Sequence, residues 1–135
     1  MKTVLLILLA TFIQDKPQEP PKNDPTGVWQ SDTGTKFDMK LMGSAIKVHL
    51  VDGSNPVYLK YDIDLQNTGD KNTYKGVGSF VAKFKEKECT FDTEWSIVVV
   101  GPEAIVGYMS KIVPNPATCE VVEKGSDFVR LKKVK

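Results

Sequence analysis

The single histidine, His49, is the one side chain in this 135-residue sequence whose ordinary pKa suits proton transfer near neutral pH. A general base must reach the substrate's proton from a position within hydrogen-bond distance. His49 alternates with Lys47 along a segment whose apolar side is formed by Ile46, Val48 and Leu50, so both polar residues belong to the solvent side. We therefore expect an exposed imidazole, and neither a metal site nor a bound cofactor.

Two pairs of carboxylates have the spacing that places both members on one side of a strand, Asp62 with Asp64 and Asp92 with Glu94. Acid/base catalysis by such a pair requires a cleft and two different pKa values. Alternation instead places both pairs on the outer surface, among lysines. Nucleophile-elbow, phosphate-binding and metalloprotease motifs do not occur in the sequence. We expect a protein that is not an enzyme.

The first 25 residues have the composition of an export signal and a linker. Lys2 precedes an apolar stretch from Val4 to Ile13 that is too short to span a bilayer as a helix, so residues 1–14 are predicted to be a signal peptide. Residues 15–25 contain four prolines and are predicted to be an extended linker. We expect a secreted or periplasmic protein without stable membrane insertion, folded over residues 26–135.

The two cysteines, Cys89 and Cys119, are predicted to form a disulfide, because an even number in an exported chain is usually paired and a metal site needs more soft ligands. If residues 101–103 form the turn of a hairpin, Cys89 lies nearly opposite Pro114. A short corner at residues 114–116 then returns Cys119 to the same end of the hairpin. The bridge would hold the open end of that hairpin together.

The charge balance argues against a nucleic-acid partner, because 18 basic residues face 17 acidic ones. The dense cationic run at residues 130–135 is interpreted as a solvated last strand with an exposed tail. The length leaves room for one small domain.

The chain from Gly27 onward contains about nine segments that alternate apolar and polar residues between turn signals. The predicted inward positions are Thr35, Phe37, Met39 and Leu41; Ile46, Val48 and Leu50; Val57, Leu59, Tyr61, Ile63 and Leu65; Tyr74, Phe80, Ala82 and Phe84; Phe91, Thr93, Trp95, Ile97 and Val99; and Val106, Tyr108, Ser110 and Ile112. Two shorter segments follow, around Val121 and from Phe128 to Leu131.

No helical period appears in this region, so the apolar faces of the strands must cover each other. Short connections between strands favour an all-β, antiparallel up-and-down barrel of about eight strands, because closure removes exposed sheet edges. A two-sheet β-sandwich is the alternative. Gly76 and Gly78 fall on the inward face, where glycines either allow a strand to bend or leave internal space.

The first predicted strand and its loop, residues 26–35, resemble the start of a calycin barrel, the group that includes lipocalins and avidin-like proteins. Gly27 and Trp29 match the Gly-x-Trp that plugs one end of such barrels, and residues 125–131 resemble the final avidin-like strand. The resemblance implies an open-ended barrel that binds a small molecule, with Ser31, Thr33 and Thr35 at ligand-contacting positions. Avidin-like sites have several tryptophans around the ligand, whereas this chain has two, so biotin is not expected.

Four residues of the predicted interior, Tyr61, Tyr74, Trp95 and Tyr108, carry hydroxyl or indole N–H groups that need hydrogen-bond partners when buried. A ligand, the backbone or water can supply those partners. A barrel of about eight strands is just wide enough for packed side chains or for one small ligand. We therefore expect these residues to contribute to ligand binding.

Residues 97–100 are apolar on both faces, so Val98 and Val100 should point outward and need cover from a flanking segment or from a second copy of the chain. The sequence thus predicts an exported, non-enzymatic binding protein that holds a small apolar or aromatic ligand in a β-barrel. The alternative is a protein-interaction module, such as a protease inhibitor, whose segment 15–25 reaches into a partner protein.

Overall fold

The computed structural model describes residues 24–134, whose regular structure consists entirely of β-strands. The strands are β1 Gly27–Ser31, β2 Lys36–Met42, β3 Ala45–Leu50, β4 Tyr58–Asn67, β5 Thr73–Phe84, β6 Lys87–Gly101, β7 Ala104–Pro114 and β8 Val121–Lys133. Each strand pairs antiparallel with the next, and β8 pairs with β1 to close a barrel. The predicted up-and-down barrel is confirmed, and the sandwich alternative was wrong. The two short C-terminal segments form one strand, β8.

The predicted signal peptide and linker residues 15–23 lie outside the described residues. The last two residues of the predicted linker, Asp24 and Pro25, form hydrogen bonds with Thr26 and with Trp29 of β1. The Trp29 indole N–H donates to the Pro25 carbonyl at 2.7 Å, and Asp24 Oδ1 accepts from the Thr26 N–H at 2.9 Å. Hydrogen bonds from the side chain and the backbone N–H of Thr26 lower the pKa of Asp24.

Trp29 closes the end of the barrel at which β1 begins. Its side chain is fully buried, and the Lys133 Nζ lies 5.1 Å from the centre of its ring. The same Nζ donates to the Thr26 carbonyl, so a side chain of β8 anchors the residue that precedes β1. We call this the closed end; the turns at residues 43–44, 68–72 and 102–103 lie there too.

The barrel interior is packed with the apolar residues that alternation predicted in β2, β3, β5 and β6. Trp95 and Ile97 of β6 are fully buried, as are Met39 of β2 and Ile46 of β3. Val98 and Val100 point outward and are exposed, as predicted.

Glycines on the inward face let the strands approach closely. A Cβ on Gly76 would overlap the Asp64 carbonyl, and one on Gly78 would overlap the Asp62 carbonyl. Gly76 also lies directly opposite Trp95, whose indole needs space beside β5. These two glycines therefore serve close packing of β5 against β4.

The start of β4 departs from the predicted alternation. A register shift between Tyr58 and Lys60 places Val57 and Leu59 at 37% and 39% exposure, so the prediction that they face inward was wrong. The shift lets Tyr58 contact Tyr61, with ring centres 5.5 Å apart. A β-bulge of this kind redirects side chains at the rim of a barrel.

The phase predicted for β7 was also wrong in its first half. Ile105 and Gly107 face inward there, and Tyr108 is 56% exposed on the outer surface, with its ring edge-on to Phe128 at 5.7 Å. Ile105 and Val106 are both apolar, so alternation could not distinguish the two phases. Farther along the strand, Ile112 does pack against the core.

Beyond Met109, strand pairing between β7 and β6 ends, and residues 110–128 of the β7–β8 hairpin form a two-stranded ribbon. The described pairing of β6 with β7 extends only to Trp95 opposite Met109. The predicted disulfide is confirmed, with the Cα atoms of Cys89 and Cys119 5.4 Å apart. Lys87 Nζ also donates to the Ala117 carbonyl at 2.9 Å. These contacts fasten the ribbon to β6 at the open end of the barrel.

Candidate functional site at the open end

A cavity of about 370 Å³ lies at the open end of the barrel. One side is formed by the loop from β1 to β2, the floor by aromatic side chains of β2, β4 and β5, and another side by β7 and β8. Its position follows from unequal strand lengths, because β1 ends at Ser31 whereas β8 continues past it.

The rim on the β1–β2 side is a chain of hydroxyl groups. Ser31 Oγ lies 2.9 Å from Thr33 Oγ1, which lies 3.3 Å from Thr35 Oγ1. Asn55 Nδ2 donates to Thr35 Oγ1 at 2.7 Å. A tight turn creates this row, since the Ser31 N–H donates to the Thr35 carbonyl at 2.9 Å and Gly34 adopts a φ of +92°. Hydroxyls both donate and accept, so the row suits a polar group of a ligand.

The floor of the cavity is a cluster of aromatic rings. Tyr61 stacks on Phe80 with ring centres 4.9 Å apart, and Phe37 meets Tyr61 edge-on at 5.3 Å. Burial raises the pKa of Tyr61, so its phenol stays neutral well above physiological pH. Tyr58 joins the cluster because the bulge in β4 turns its ring toward Tyr61. The floor can therefore stack against a flat or apolar ligand.

The wall formed by β7 and β8 adds apolar and charged groups. Met109 and Ile112 line it from β7, and Asp127 and Arg130 line it from β8. Asp32 faces the cavity from the β1–β2 loop. Neither salt bridge recorded within residues 24–134 involves these charged side chains, which leaves both signs of charge at the rim.

Trp95 lies beside the floor rather than in the cavity lining. Its ring centre is 5.1 Å from that of Phe37 and 6.0 Å from that of Tyr61. Its Nε1 is buried and has no hydrogen-bond partner in the described part of the chain. Leaving a buried N–H donor without an acceptor costs about 1–3 kcal/mol of folding free energy. An acceptor placed at this indole N–H would therefore be favourable.

The structure brings together four of the seven residues predicted to bind ligand: Ser31, Thr33, Thr35 and Tyr61 all line the cavity. Tyr74 is buried toward the closed end, opposite Asn67 in register, where burial raises its pKa. Tyr108 lies on the outer surface, so its predicted inward placement is corrected. The lining residues that sequence reasoning did not assign to the site include Phe37, Tyr58, Phe80 and Met109. Of these four, Phe37 and Phe80 were already predicted to face inward.

His49 and the carboxylates of β4 lie on the outer surface, as alternation predicted. His49 Nε2 is 3.5 Å from Asp62 Oδ1, and Lys47 Nζ is 3.1 Å from Asp64 Oδ1. All four side chains are about half exposed. Among residues 24–134, no group of three or more His, Cys, Asp or Glu side chains is arranged to hold a metal ion.

No known protein family matches the chain, and neither curated proteins nor solved structures gave a significant match. The described residues contain no helix long and apolar enough to cross a membrane. The fold defines a closed, eight-stranded antiparallel β-barrel.

Proposed function

We propose that this protein is a non-enzymatic, calycin-like binding protein that holds a small apolar or aromatic ligand at the open end of its barrel. The observation that carries the proposal is the cavity of about 370 Å³ with an aromatic floor and a hydroxyl rim. Ligand sites generally have about 300–1,000 Å³, so this volume suits a small ligand. Stacking on Phe80 and Tyr61 would hold its flat part, and the hydroxyl row would orient a polar end.

The calycin-like character is supported by the closed end of the barrel. Trp29 of the Gly-x-Trp sequence is fully buried and plugs that end, in agreement with the resemblance in residues 26–35. The packed interior above Trp29 leaves the open end as the place for a ligand.

We further propose that the protein acts outside the cytosol, in a secreted or periplasmic setting. The Cys89–Cys119 disulfide supports this proposal, because such bonds persist in oxidising compartments and are rare where thiols are kept reduced.

Two other predicted interactions stay proposals. In the alternative, an interaction module, segment 15–25 would reach into a partner protein. Asp24 and Pro25, the described end of that segment, instead form hydrogen bonds within the chain and give this alternative no support. Val98 and Val100 are exposed on the outer face of β6, and a second copy of the chain stays our candidate for covering them.

Binding of the neutral fluorophore N-phenyl-1-naphthylamine tests the ligand proposal. We expect the probe to bind the unmodified protein and to lose at least tenfold in affinity in Met109→Trp, which fills the cavity. Val77→Trp is the matched control, since Val77 is 64% exposed outside the cavity. Equal binding to both variants would refute the proposed location.

A further inference from the structure

Within residues 24–134, the edge of β8 near the open end of the barrel has no neighbouring strand. β8 has 13 residues and β1 has five. The described pairing of β1 with β8 covers Leu131, Lys132 and Lys133, so residues 123–130 have β7 on one side and no strand of the described chain on the other.

The direction of the backbone groups on this edge follows from two hydrogen bonds at its end. The Lys133 N–H donates to the Glu103 carbonyl, on the side of β7, and the Val134 N–H donates to the Val28 carbonyl of β1. Successive residues of a strand point their N–H and C=O groups to opposite sides. The register with β7 runs without interruption from Lys132 to Glu123, so even-numbered residues there face the free edge.

Lys124, Ser126 and Phe128 therefore direct their N–H and C=O groups away from β7. None of these groups has a protein partner within residues 24–134. All three residues are exposed. A second extended backbone is the ligand that satisfies such a row of donors and acceptors in register.

We propose that this free edge, residues 123–130, binds an extended peptide segment of a partner protein as an added antiparallel strand. The added strand would continue the line of β1, which already pairs antiparallel with the end of β8. It would lie beside the cavity at the open end, because Asp127, Phe128, Val129 and Arg130 line that cavity.

The charges on β8 argue against a second copy of this chain as the occupant. By alternation, Lys124 and Arg130 share one face of the strand, and Glu123 and Asp127 share the other. Symmetric antiparallel pairing sets Lys124 against Lys124, Glu123 against Asp127, or Lys124 against Arg130, depending on the register. The registers centred on Ser126 and on Phe128 avoid direct opposition within this segment, yet both gather the cations of the two copies on one face. Like charges across strands destabilise a sheet.

The same charges specify the complementary peptide. An acidic residue opposite Lys124 and basic residues opposite Glu123 and Asp127 would pair favourably across the strands. A Cβ on Gly125 would meet no atom within 4 Å, so an aromatic side chain opposite Gly125 has space to cover that position. The sequence Val-Lys-Thr-Tyr-Glu-Arg, aligned antiparallel from Phe128 to Glu123, meets each requirement.

Amide hydrogen exchange and peptide titration, both followed by NMR, test the proposal. In the free protein, the amides of Lys124, Ser126 and Phe128 should exchange at least tenfold faster than those of Gly125 and Asp127, which face β7. The hexapeptide should slow the exchange of the three even-numbered amides. A hexapeptide N-methylated at the Thr and Glu that face Ser126 and Lys124 should bind at least tenfold more weakly.

A pair of protein variants gives an independent readout. Ser126→Pro removes one edge N–H and should weaken hexapeptide binding at least tenfold, whereas Ser126→Ala should not change it. Equal binding of the N-methylated peptide, or chemical shift changes confined to another surface, would overturn the proposal. So would a dimer in sedimentation velocity whose edge amides are already protected, since a second copy would then occupy β8.

Discussion

Loss of the Cys89–Cys119 disulfide should lower the free energy of unfolding by about 3.5 kcal/mol. The two cysteines are 30 residues apart, and the chain-entropy relation gives about 3.5 kcal/mol for a loop of that length at 25 °C. With a urea dependence of about 1.5 kcal/mol per M, the midpoint of unfolding should fall by roughly 2 M.

Urea unfolding followed by tryptophan fluorescence measures this effect, because Trp29 and Trp95 are fully buried and report on both ends of the core. The oxidised protein should be compared with its reduced form and with the Cys89→Ala/Cys119→Ala double variant. The reduced form loses only the crosslink. The double variant also loses side-chain volume at the buried Cys89, so it should be less stable than the reduced form by about 1 kcal/mol.

The disulfide also fastens the ribbon that forms one wall of the cavity. We therefore expect N-phenyl-1-naphthylamine to bind more weakly to the reduced protein at urea concentrations where it is still folded. A reduced protein that unfolds within about 0.5 M urea of the oxidised one would refute the entropy argument, since the loop would then be constrained by other contacts.

Three further predictions use the same unfolding assay. Gly76→Ala should lower the free energy of unfolding by at least about 2 kcal/mol, because the new Cβ would overlap the Asp64 carbonyl. The control Gly125→Ala places a Cβ where no atom lies within 4 Å, so it should change stability by less than about 0.5 kcal/mol. Similar costs for the two variants would contradict the close-packing role of Gly76. Lys133→Met should cost about 1–2 kcal/mol through loss of the Thr26 hydrogen bond and the contact with the Trp29 ring, and an unchanged midpoint would show that this cation does not hold the closed end. Burial holds the pKa of Tyr61 above its ordinary value of 10.0, so above pH 10 the folded protein keeps a proton that the unfolded chain loses. The free energy of unfolding should therefore fall there by about 1.4 kcal/mol per pH unit for each buried tyrosine of this kind. Tyr61→Phe should flatten this dependence of stability on pH between about pH 9 and 11.

Alternation predicted the fold well where one face of a strand is buried and the other is charged. In β3, Lys47 and His49 separate Ile46, Val48 and Leu50, so only one phase buries the apolar set. The disulfide was predicted from the even number of cysteines, and the turn expected at residues 101–103 placed Cys89 near the corner that precedes Cys119.

The errors arose where the pattern did not distinguish the two faces of a strand. Ile105 and Val106 are both apolar, and the inward residue after them is Gly107, which has no side chain to mark its face. In β4, the bulge near Tyr58 depends on pairing with β5, which local sequence does not encode. Both errors affected the candidate site, because they placed Tyr108 inside and left Tyr58 out.

The cavity depends on the unequal lengths of neighbouring strands, which the alternation of apolar and polar residues does not predict. It exists because β1 ends at Ser31 while β7 and β8 continue, and the pairing lengths of neighbouring strands are set by tertiary contacts. The hydroxyl rim was predicted only through the calycin resemblance of residues 26–35. Its support from Asn55 comes from a loop that is distant in sequence.

Native mass spectrometry of the protein, purified from its natural source without a refolding step, tests the central claim most directly. The proposed function predicts an added small mass that dissociates on denaturation and is absent from Met109→Trp but present in Val77→Trp. A bare chain, or a small molecule retained equally by both variants, would contradict a ligand site at the open end of the barrel.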